Sequence, residues 1–233
     1  MSENQTPRQI LSGLLNVSFG LILFGVGTYL TIQSNLGPSP WDVFYIGVSK
    51  QTGLTYGNVF ALFSLCVIVA DGIILKEKIG FGMFCSAVLI GKTVDILSAL
   101  NLIPAMQGSL LGRILVLLLG YWLEGFSQFF YMRAGLGFGA IDALQVGLSR
   151  RMPLLPIGAV NAILLGAAFA VGVLLGGPVG LATVAAPFAI SALQQITFSM
   201  VHFDPKKVRS QPILESLRIL LSCCRTQHPG KTG

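Results

Sequence analysis

Charged residues are scarce in this sequence. Only 10% of its 233 residues are Asp, Glu, Lys or Arg, whereas a soluble domain carries about 25%. The chain is 53% hydrophobic, and several apolar runs are about twenty residues long, enough to cross a hydrocarbon core of roughly 30 Å. This composition excludes an ordinary soluble protein and predicts an integral membrane protein whose first partner is the lipid bilayer.

Histidine and cysteine are also scarce, with two and four residues, and no C-x-x-C spacing occurs. Cys66 and Cys85 lie in apolar runs, where a thiol acts as a small hydrophobic side chain. Cys223 and Cys224 are adjacent in a basic tail, where lipid modification and an unmodified pair both stay open. We therefore expect no metal site, no cofactor and no disulfide framework. Without a Ser/His dyad or a zinc-ligand set at membrane depth, we also expect that the protein is not an enzyme.

One stretch of the chain occurs twice, 100 positions apart. Residues 36–50 read LGPSPWDVFYIGVSK, and residues 136–150 read LGFGAIDALQVGLSR, so Asp42 matches Asp142. Self-similarity at a fixed spacing indicates an internal repeat. It predicts four segments: a disordered N-terminus (1–9), a first membrane repeat (10–100), a second membrane repeat (101–201) and a basic cytoplasmic tail (202–233).

Each repeat contains three predicted membrane spans, at residues 10–32, 58–75 and 79–100 and at residues 110–132, 157–175 and 179–201. The duplicated element is too short to add a fourth, because a helix from Ser39 to Lys50 covers only about 18 Å at 1.5 Å per residue. We expect it to be a re-entrant or interfacial helix that returns to the side it left. Three spans is an odd number, so the two repeats are predicted to be inverted relative to each other.

The distribution of positive charge supports this topology. The formal net charge is +6, and Lys and Arg accumulate in cytoplasmic loops of membrane proteins. With the N-terminus inside, the outer side holds only Lys50 and Arg113 among the loop cations. We therefore predict a protein of the inner cell membrane with both termini cytoplasmic. Since no soluble domain is available to hold a nucleic-acid duplex, the net positive charge does not predict nucleic-acid binding.

The duplicated aspartates are the main candidates for function. Ser39, Pro40, Trp41 and Asp42 form a helix-capping sequence, so Asp42 could serve only to stabilise a helix N-terminus. Asp142 is retained although Gly139 replaces the capping serine, which favours a role beyond capping. Two re-entrant N-termini that meet near the midplane could bind an ion or a small solute. The predicted binding set is Ser39, Trp41, Asp42, Ser49, Asp142 and Ser149.

Three further charges lie inside predicted spans. Lys92 and Asp95 are three residues apart on one helical face, and Glu124 lies in the fourth span. Charges in lipid are costly and usually face a bundle interior or water. These residues either gate the protein or relay protons, or Lys92 forms a packing ion pair with Asp95 or Glu124.

Aromatic side chains with a polar group suit interfacial or cavity-wall positions. Five residues have this character: Trp41, Tyr45, Tyr56, Trp122 and Tyr131. Of these, Trp41 lies within the predicted binding set.

A family resemblance follows from the first copy of the element. The run Leu36-Gly37-Pro38-Ser39-Pro40-Trp41-Asp42-Val43-Phe44, continued by Gly47-Val48-Ser49 and Thr52-Gly53-Leu54-Thr55-Tyr56-Gly57, resembles the signature of the YczE/YyaS/YitT family of bacterial integral membrane proteins. The resemblance covers roughly residues 10 to 200. It implies a multi-pass protein of the inner membrane and leaves the biochemical activity open.

Together these features predict an all-α polytopic membrane protein that acts as a transporter or channel-like permease for a small solute. The alternative is a non-transporting accessory or regulatory protein that stabilises another complex. Assembly into a homo-oligomer stays open.

Overall fold

The computed structural model describes residues 7–76, 80–133, 139–152, 154–155 and 157–202. Over these residues the regular structure is all helical. The helices are α1 (Pro7–Gln33), α2 (Pro40–Thr52), α3 (Tyr56–Ala70), α4 (Phe81–Leu100), α5 (Leu110–Arg133), α6 (Ala140–Arg151), α7 (Ile157–Leu174) and α8 (Leu181–Met200), and a π-helical turn (Asp71–Leu75) extends α3.

Four of these helices are long and apolar enough to cross a membrane, within the residues described. They are α1, α3 with its π-helical turn, α4 and α5. The apolar parts of α7 and α8 are shorter, at Gly158–Leu174 and Leu181–Thr197. The duplicated element forms the short helices α2 and α6, as its length predicts. The prediction of an all-helical, multi-pass membrane protein is therefore confirmed.

The exterior of the helix bundle is apolar and its interior contains polar groups. Leu115 and Phe188 are strongly exposed, as are large hydrophobic side chains on every long helix. Thr28, Ser127 and Glu124 are instead buried between helices. This is the reverse of a soluble protein, and it suits a molecule whose outer surface faces lipid.

Helices α1 and α5 form the centre of the bundle. Helix α1 packs against α4 and α5, and α5 also packs against α8. A Cβ atom on Gly27 would lie 2.8 Å from the carbonyl oxygen of Gly120. Because only glycine fits at such a crossing, the two backbones approach closely, as is common between helices in membranes.

The short helices pack across the two halves of the sequence. Helix α2 lies mainly against α7, and α6 lies against α3 and α7. The order of one long, one short and two long helices occurs twice along the chain. Each short helix thus contacts a long helix from the other half.

The connection between α4 and α5 is fixed over the end of α1. The Tyr29 hydroxyl donates to the Ile103 carbonyl at 2.8 Å and accepts from the Ile103 N–H at 3.0 Å. Arg113 donates from Nε to the Ser34 carbonyl at 3.0 Å and also donates to the Asn35 carbonyl. These bonds satisfy carbonyl groups at a helix end that have no partner within the helix.

The predicted terminal segments are only partly described. Helix α1 begins at Pro7, so residues 7–9 of the predicted disordered segment are helical. Proline is favoured at the first position of a helix because its missing N–H has no intrahelical partner there. Residues 1–6 and nearly all of the predicted basic tail, with Cys223 and Cys224, lie outside the described residues.

Candidate functional site

The first turn of α2 holds Asp42 in a fixed position. Ser39 is the N-cap residue, and its Oγ accepts from the Asp42 N–H at 3.4 Å and donates to Asp42 Oδ2 at 2.7 Å. Tyr56, at the start of α3, donates its hydroxyl to Asp42 Oδ1 at 2.7 Å. The Asp42 side chain is only 5% exposed. Asp42 therefore contributes to the cap, as its sequence context predicts, and is also anchored by a second helix.

The first turn of α6 holds Asp142 by a different arrangement. Gly139 is the N-cap residue and provides no side-chain bond, so its backbone N–H donates to the Asp142 carboxyl instead. The Tyr131 hydroxyl donates to Asp142 Oδ2 at 2.9 Å. Both aspartates thus bond back to their own N-cap residue and accept from a tyrosine of a neighbouring helix.

The two first turns line one cavity of about 500 Å³. Glu124 of α5 lines the same cavity, is 3% exposed and accepts from Thr28 Oγ1 of α1 at 3.2 Å. Of the residues predicted from the sequence, the cavity brings together Ser39, Trp41, Asp42, Glu124 and Asp142. Two repeat elements 100 positions apart therefore contribute to one site, together with the carboxyl group of a central helix.

The rest of the lining is polar at some points and apolar at others. Amide side chains of Gln128, Gln145 and Asn161 line the cavity. Tyr45 and Ser64 also line it, and the Tyr45 hydroxyl and Ser64 Oγ are buried without a hydrogen-bond partner within the described structure. Since buried polar groups are normally hydrogen-bonded, a polar molecule in the cavity would favour a side-chain rotation that turns either hydroxyl toward it.

The C-terminal ends of α2 and α6 lie at opposite ends of α3. Helix α2 leads through residues 53–55 into the start of α3, and Gln51 Nε2 donates to the Leu175 carbonyl at 3.0 Å. Arg151, at the end of α6, donates to the carbonyl of Ile74, near the far end of α3. The 20 residues from Tyr56 to Leu75 separate these points by about 30 Å. The short helices therefore run from a shared cavity toward opposite ends of the molecule.

Two predicted binding residues lie away from the cavity lining. Ser49 donates to the Leu54 carbonyl at 2.5 Å, and Ser149 donates to the Gln145 carbonyl of its own helix at 2.7 Å. Both hydroxyls are thus used in local bonds near the ends of the short helices. Their role in binding stays a prediction.

Lys92 and Asp95 connect α4 to the start of α3. Lys92 Nζ donates to Asn58 Oδ1 at 3.1 Å. Asp95 accepts from the Thr55 hydroxyl at 2.6 Å and from the Gly57 N–H at 2.8 Å. No ion pair links Lys92 with Asp95 or Glu124 among the residues described. A gating or proton-relay role for Lys92 and Asp95 stays a prediction, since neither lines the cavity.

Several polar residues inside the bundle were not predicted from the sequence. Thr28, Ser64 and Asn161 line the cavity, and Asp71 is fully buried where the π-helical turn begins. The sequence feature that could have identified them is a hydroxyl or amide side chain within an otherwise apolar span. Of the five aromatic residues considered for interfacial or cavity-wall positions, all except Trp122 line the cavity.

A matched pair of tyrosine variants tests whether the Tyr45 hydroxyl lacks a structural partner. Tyr29 and Tyr45 are 2% and 1% exposed, but within the described part of the chain only the Tyr29 hydroxyl has hydrogen-bond partners. We expect Tyr29→Phe to lower the free energy of unfolding by about 1–3 kcal/mol, since the Ile103 groups lose their partner. Tyr45→Phe should leave it nearly unchanged, as measured by thermal unfolding in detergent. An equal loss in both variants would show that the Tyr45 hydroxyl is bonded.

Comparison with known proteins identifies the family. Residues 11–198 match the family of unknown function DUF6198. An uncharacterized protein of Haemophilus influenzae is 31% identical over 136 residues, which are 58% of this chain and 61% of that protein. The uncharacterized membrane protein YczE of Bacillus subtilis is 31% identical over 133 residues, 57% of this chain and 60% of YczE. The uncharacterized protein YyaS of Bacillus subtilis is 29% identical over 135 residues, 57% of this chain and 67% of YyaS.

The first two matches thus span about three fifths of the length of those relatives. No solved structure matches the chain. The family match covers more than half of the chain and includes both copies of the duplicated element. The chain therefore belongs to the DUF6198 family and is a membrane protein of the YczE and YyaS type.

Proposed function

We propose that this protein is a transporter or channel-like permease that moves a small solute across the inner cell membrane. The supporting observation is the cavity shared by the first turns of α2 and α6. Half-membrane helices whose N-termini meet at a cavity are a recurring way to bind solutes or ions at the bilayer midplane. Three carboxyl groups around one cavity are also costly to maintain at membrane depth unless they have a function.

In this proposal the two halves are inverted three-span repeats, and α2 and α6 re-enter from opposite faces. Support comes from the ends of α2 and α6, which lie about 30 Å apart along α3. The reciprocal bonds of Gln51 to the end of α7 and of Arg151 to the end of α3 fit the same twofold arrangement. The charge distribution then favours cytoplasmic termini.

The residues take separate roles in this mechanism. Asp42 and Asp142 contact the solute or a coupling ion, and Glu124 relays a proton or neutralises the site when it is empty. Lys92 and Asp95 act as a gate where α3 begins. The proposed partners are a small solute and the lipid bilayer, and no binding of nucleic acid is proposed. Whether the chain assembles into a homo-oligomer is left open. No enzymatic activity is proposed.

Cysteine labelling tests the inverted arrangement directly. Thr52 and Met152 occupy matching repeat positions at the ends of α2 and α6, and both are exposed. In a background without the four native cysteines, we expect Thr52→Cys to react with an impermeant thiol reagent in whole cells. Met152→Cys should react only in inverted vesicles, because the two ends lie on opposite faces.

Cysteines that react from the same face would contradict the inverted repeats and remove the main support for transport. A labelled pair on opposite faces without solute flux would instead favour the accessory protein. Flux through the purified protein is the measurement that separates these two functions.

A further inference from the structure

The charges around the cavity limit what it can bind. Asp42, Glu124 and Asp142 line it, whereas the described lining contains no lysine, arginine or histidine. The N-termini of α2 and α6 each contribute about half a positive charge, which does not offset three carboxylates when all of them are ionised. Burial favours the neutral form of a carboxyl group, and a nearby positive charge favours the ionised form. An unpaired charge inside a protein is strongly unfavourable. The site therefore favours a positively charged occupant over an anion.

Two buried hydroxyl groups provide independent support for a bound molecule. Tyr45 and Ser64 are each 1% exposed, line the cavity and have no hydrogen-bond partner within the described structure. A hydroxyl can accept from an N–H group or donate to a polar atom of a ligand. Both residues line the cavity, so a side-chain rotation on α2 or α3 would bring the hydroxyl to a bound molecule.

Aromatic rings form one wall of the cavity. Trp41, Tyr45, Tyr56 and Phe60 all line it. The ring centroid of Tyr45 lies 6.2 Å from that of Trp41, 5.7 Å from that of Tyr56 and 5.0 Å from that of Phe60. The negative faces of aromatic rings attract organic cations, and aromatic cages bind quaternary ammonium groups. A wall of this kind next to carboxyl groups suits an alkylated amine.

The size of the site favours an organic cation over a metal ion. A volume of about 500 Å³ lies within the usual range of roughly 300–1,000 Å³ for small-molecule sites. Among the residues described, no three His, Cys, Asp or Glu side chains converge closely enough to hold a metal ion. The three carboxyl groups therefore line the cavity without forming a metal-binding cluster.

We infer that this cavity binds a small organic cation, an alkylated ammonium compound, with its charge near the carboxyl groups and its alkyl part against the aromatic wall. The inference names the substrate class of the proposed transporter and rests on that function for its biological role. Glu124 is the central contact, because among the described residues it accepts one hydrogen bond, from Thr28, whereas Asp42 accepts from both Ser39 and Tyr56.

A fluorescence titration of the full chain tests the inference. The chain has two tryptophans, of which Trp41 lines the cavity and Trp122 is 40% exposed. Trp122→Phe leaves Trp41 as the reporter, and Trp41→Phe leaves Trp122 as the control. The probes are choline, its neutral isostere 3,3-dimethyl-1-butanol and the anion 3,3-dimethylbutanoate, with tetraethylammonium as a larger cation.

We expect both cations to change Trp41 fluorescence saturably, with choline binding at least about tenfold more tightly than its neutral isostere. The signal of Trp122 should not change. Glu124→Gln keeps the shape of the side chain and should weaken choline binding about tenfold or more, while the affinity for the neutral isostere stays the same. Thermal unfolding of each variant verifies that it is folded.

Equal binding of choline and its neutral isostere, preference for the anion, or no saturable signal from any probe would overturn the inference. Flux of radiolabelled probes into proteoliposomes distinguishes a failure of this inference from a failure of the proposed function. Choline binding without flux would support a cation site and contradict the transporter. Flux of 3,3-dimethylbutanoate above that of protein-free vesicles would support the transporter and contradict the cation class.

Discussion

Asp42→Asn and Asp142→Asn should each reduce solute flux by roughly 100-fold or more while leaving the amount of protein in the membrane nearly unchanged. Asparagine keeps the size of the side chain but removes its charge. The Ser39 hydroxyl can reverse its bond and accept from the new amide group, while Tyr56 still donates to the remaining oxygen. The measurement is flux of radiolabelled choline, glycine and lactate in proteoliposomes, compared with protein abundance in membranes.

A second capping residue provides the matched control. Thr55 caps α3 as Ser39 caps α2, since its Oγ1 accepts from the Asn58 N–H at 3.2 Å, but Thr55 does not line the cavity. Thr55→Ala removes this cap and the hydrogen bond to Asp95, so it should cost about 1–3 kcal/mol of stability and leave solute binding in the cavity unchanged. If Asp42→Asn lowers abundance in the same way and flux per molecule persists, Asp42 acts only as a cap and the accessory function gains support.

Gly172→Ala should reduce the free energy of unfolding by about 3 kcal/mol. A Cβ atom at this position of α7 would lie 2.5 Å from the Phe44 nitrogen and 2.7 Å from the Phe44 Cα atom. These are backbone atoms of α2, so the overlap cannot be relieved by a side-chain rotation. The methyl group should push α2 away from α7 and displace Asp42 from the cavity. Urea unfolding in detergent micelles and membrane abundance both measure the effect.

Gly166→Ala is the control within the same helix. A Cβ atom at Gly166 would have no neighbour within 4 Å, and alanine is a better helix former than glycine by about 1 kcal/mol. We expect unchanged or slightly increased stability. Similar losses in both variants would mean that α7 itself, rather than its contact with α2, responds to the substitution.

The parts of the site that local sequence determines were predictable. The repeat identified Asp42 and Asp142, and the capping sequence beginning at Ser39 predicted the start of a short helix. Such signals extend over three or four residues, and α2 begins where the capping sequence predicts. The length of each element also predicted that α2 and α6 are too short to span.

The orientation of side chains on long helices was harder to predict. In a soluble protein an apolar face indicates the core, but in lipid both the inner and the outer faces of a helix are apolar. Glu124 faces the cavity, whereas Lys92 is exposed and bonds to Asn58. The partners Tyr56 and Tyr131 could not be assigned because packing between distant segments decides which hydroxyl meets which carboxyl group.

The bond from Gln51 to Leu175 also has a consequence for biosynthesis. The two residues are 124 positions apart, and at a synthesis rate of 5–20 residues per second that separation takes roughly 6 to 25 s. During this interval α2 has been made but its partner α7 has not. The nascent chain must therefore hold a short helix with a carboxyl group before the pocket that will enclose it exists. A ribosome that stalls between the two segments would leave an incomplete bundle that exposes Asp42. Membrane quality control would then have an exposed carboxyl group to recognise.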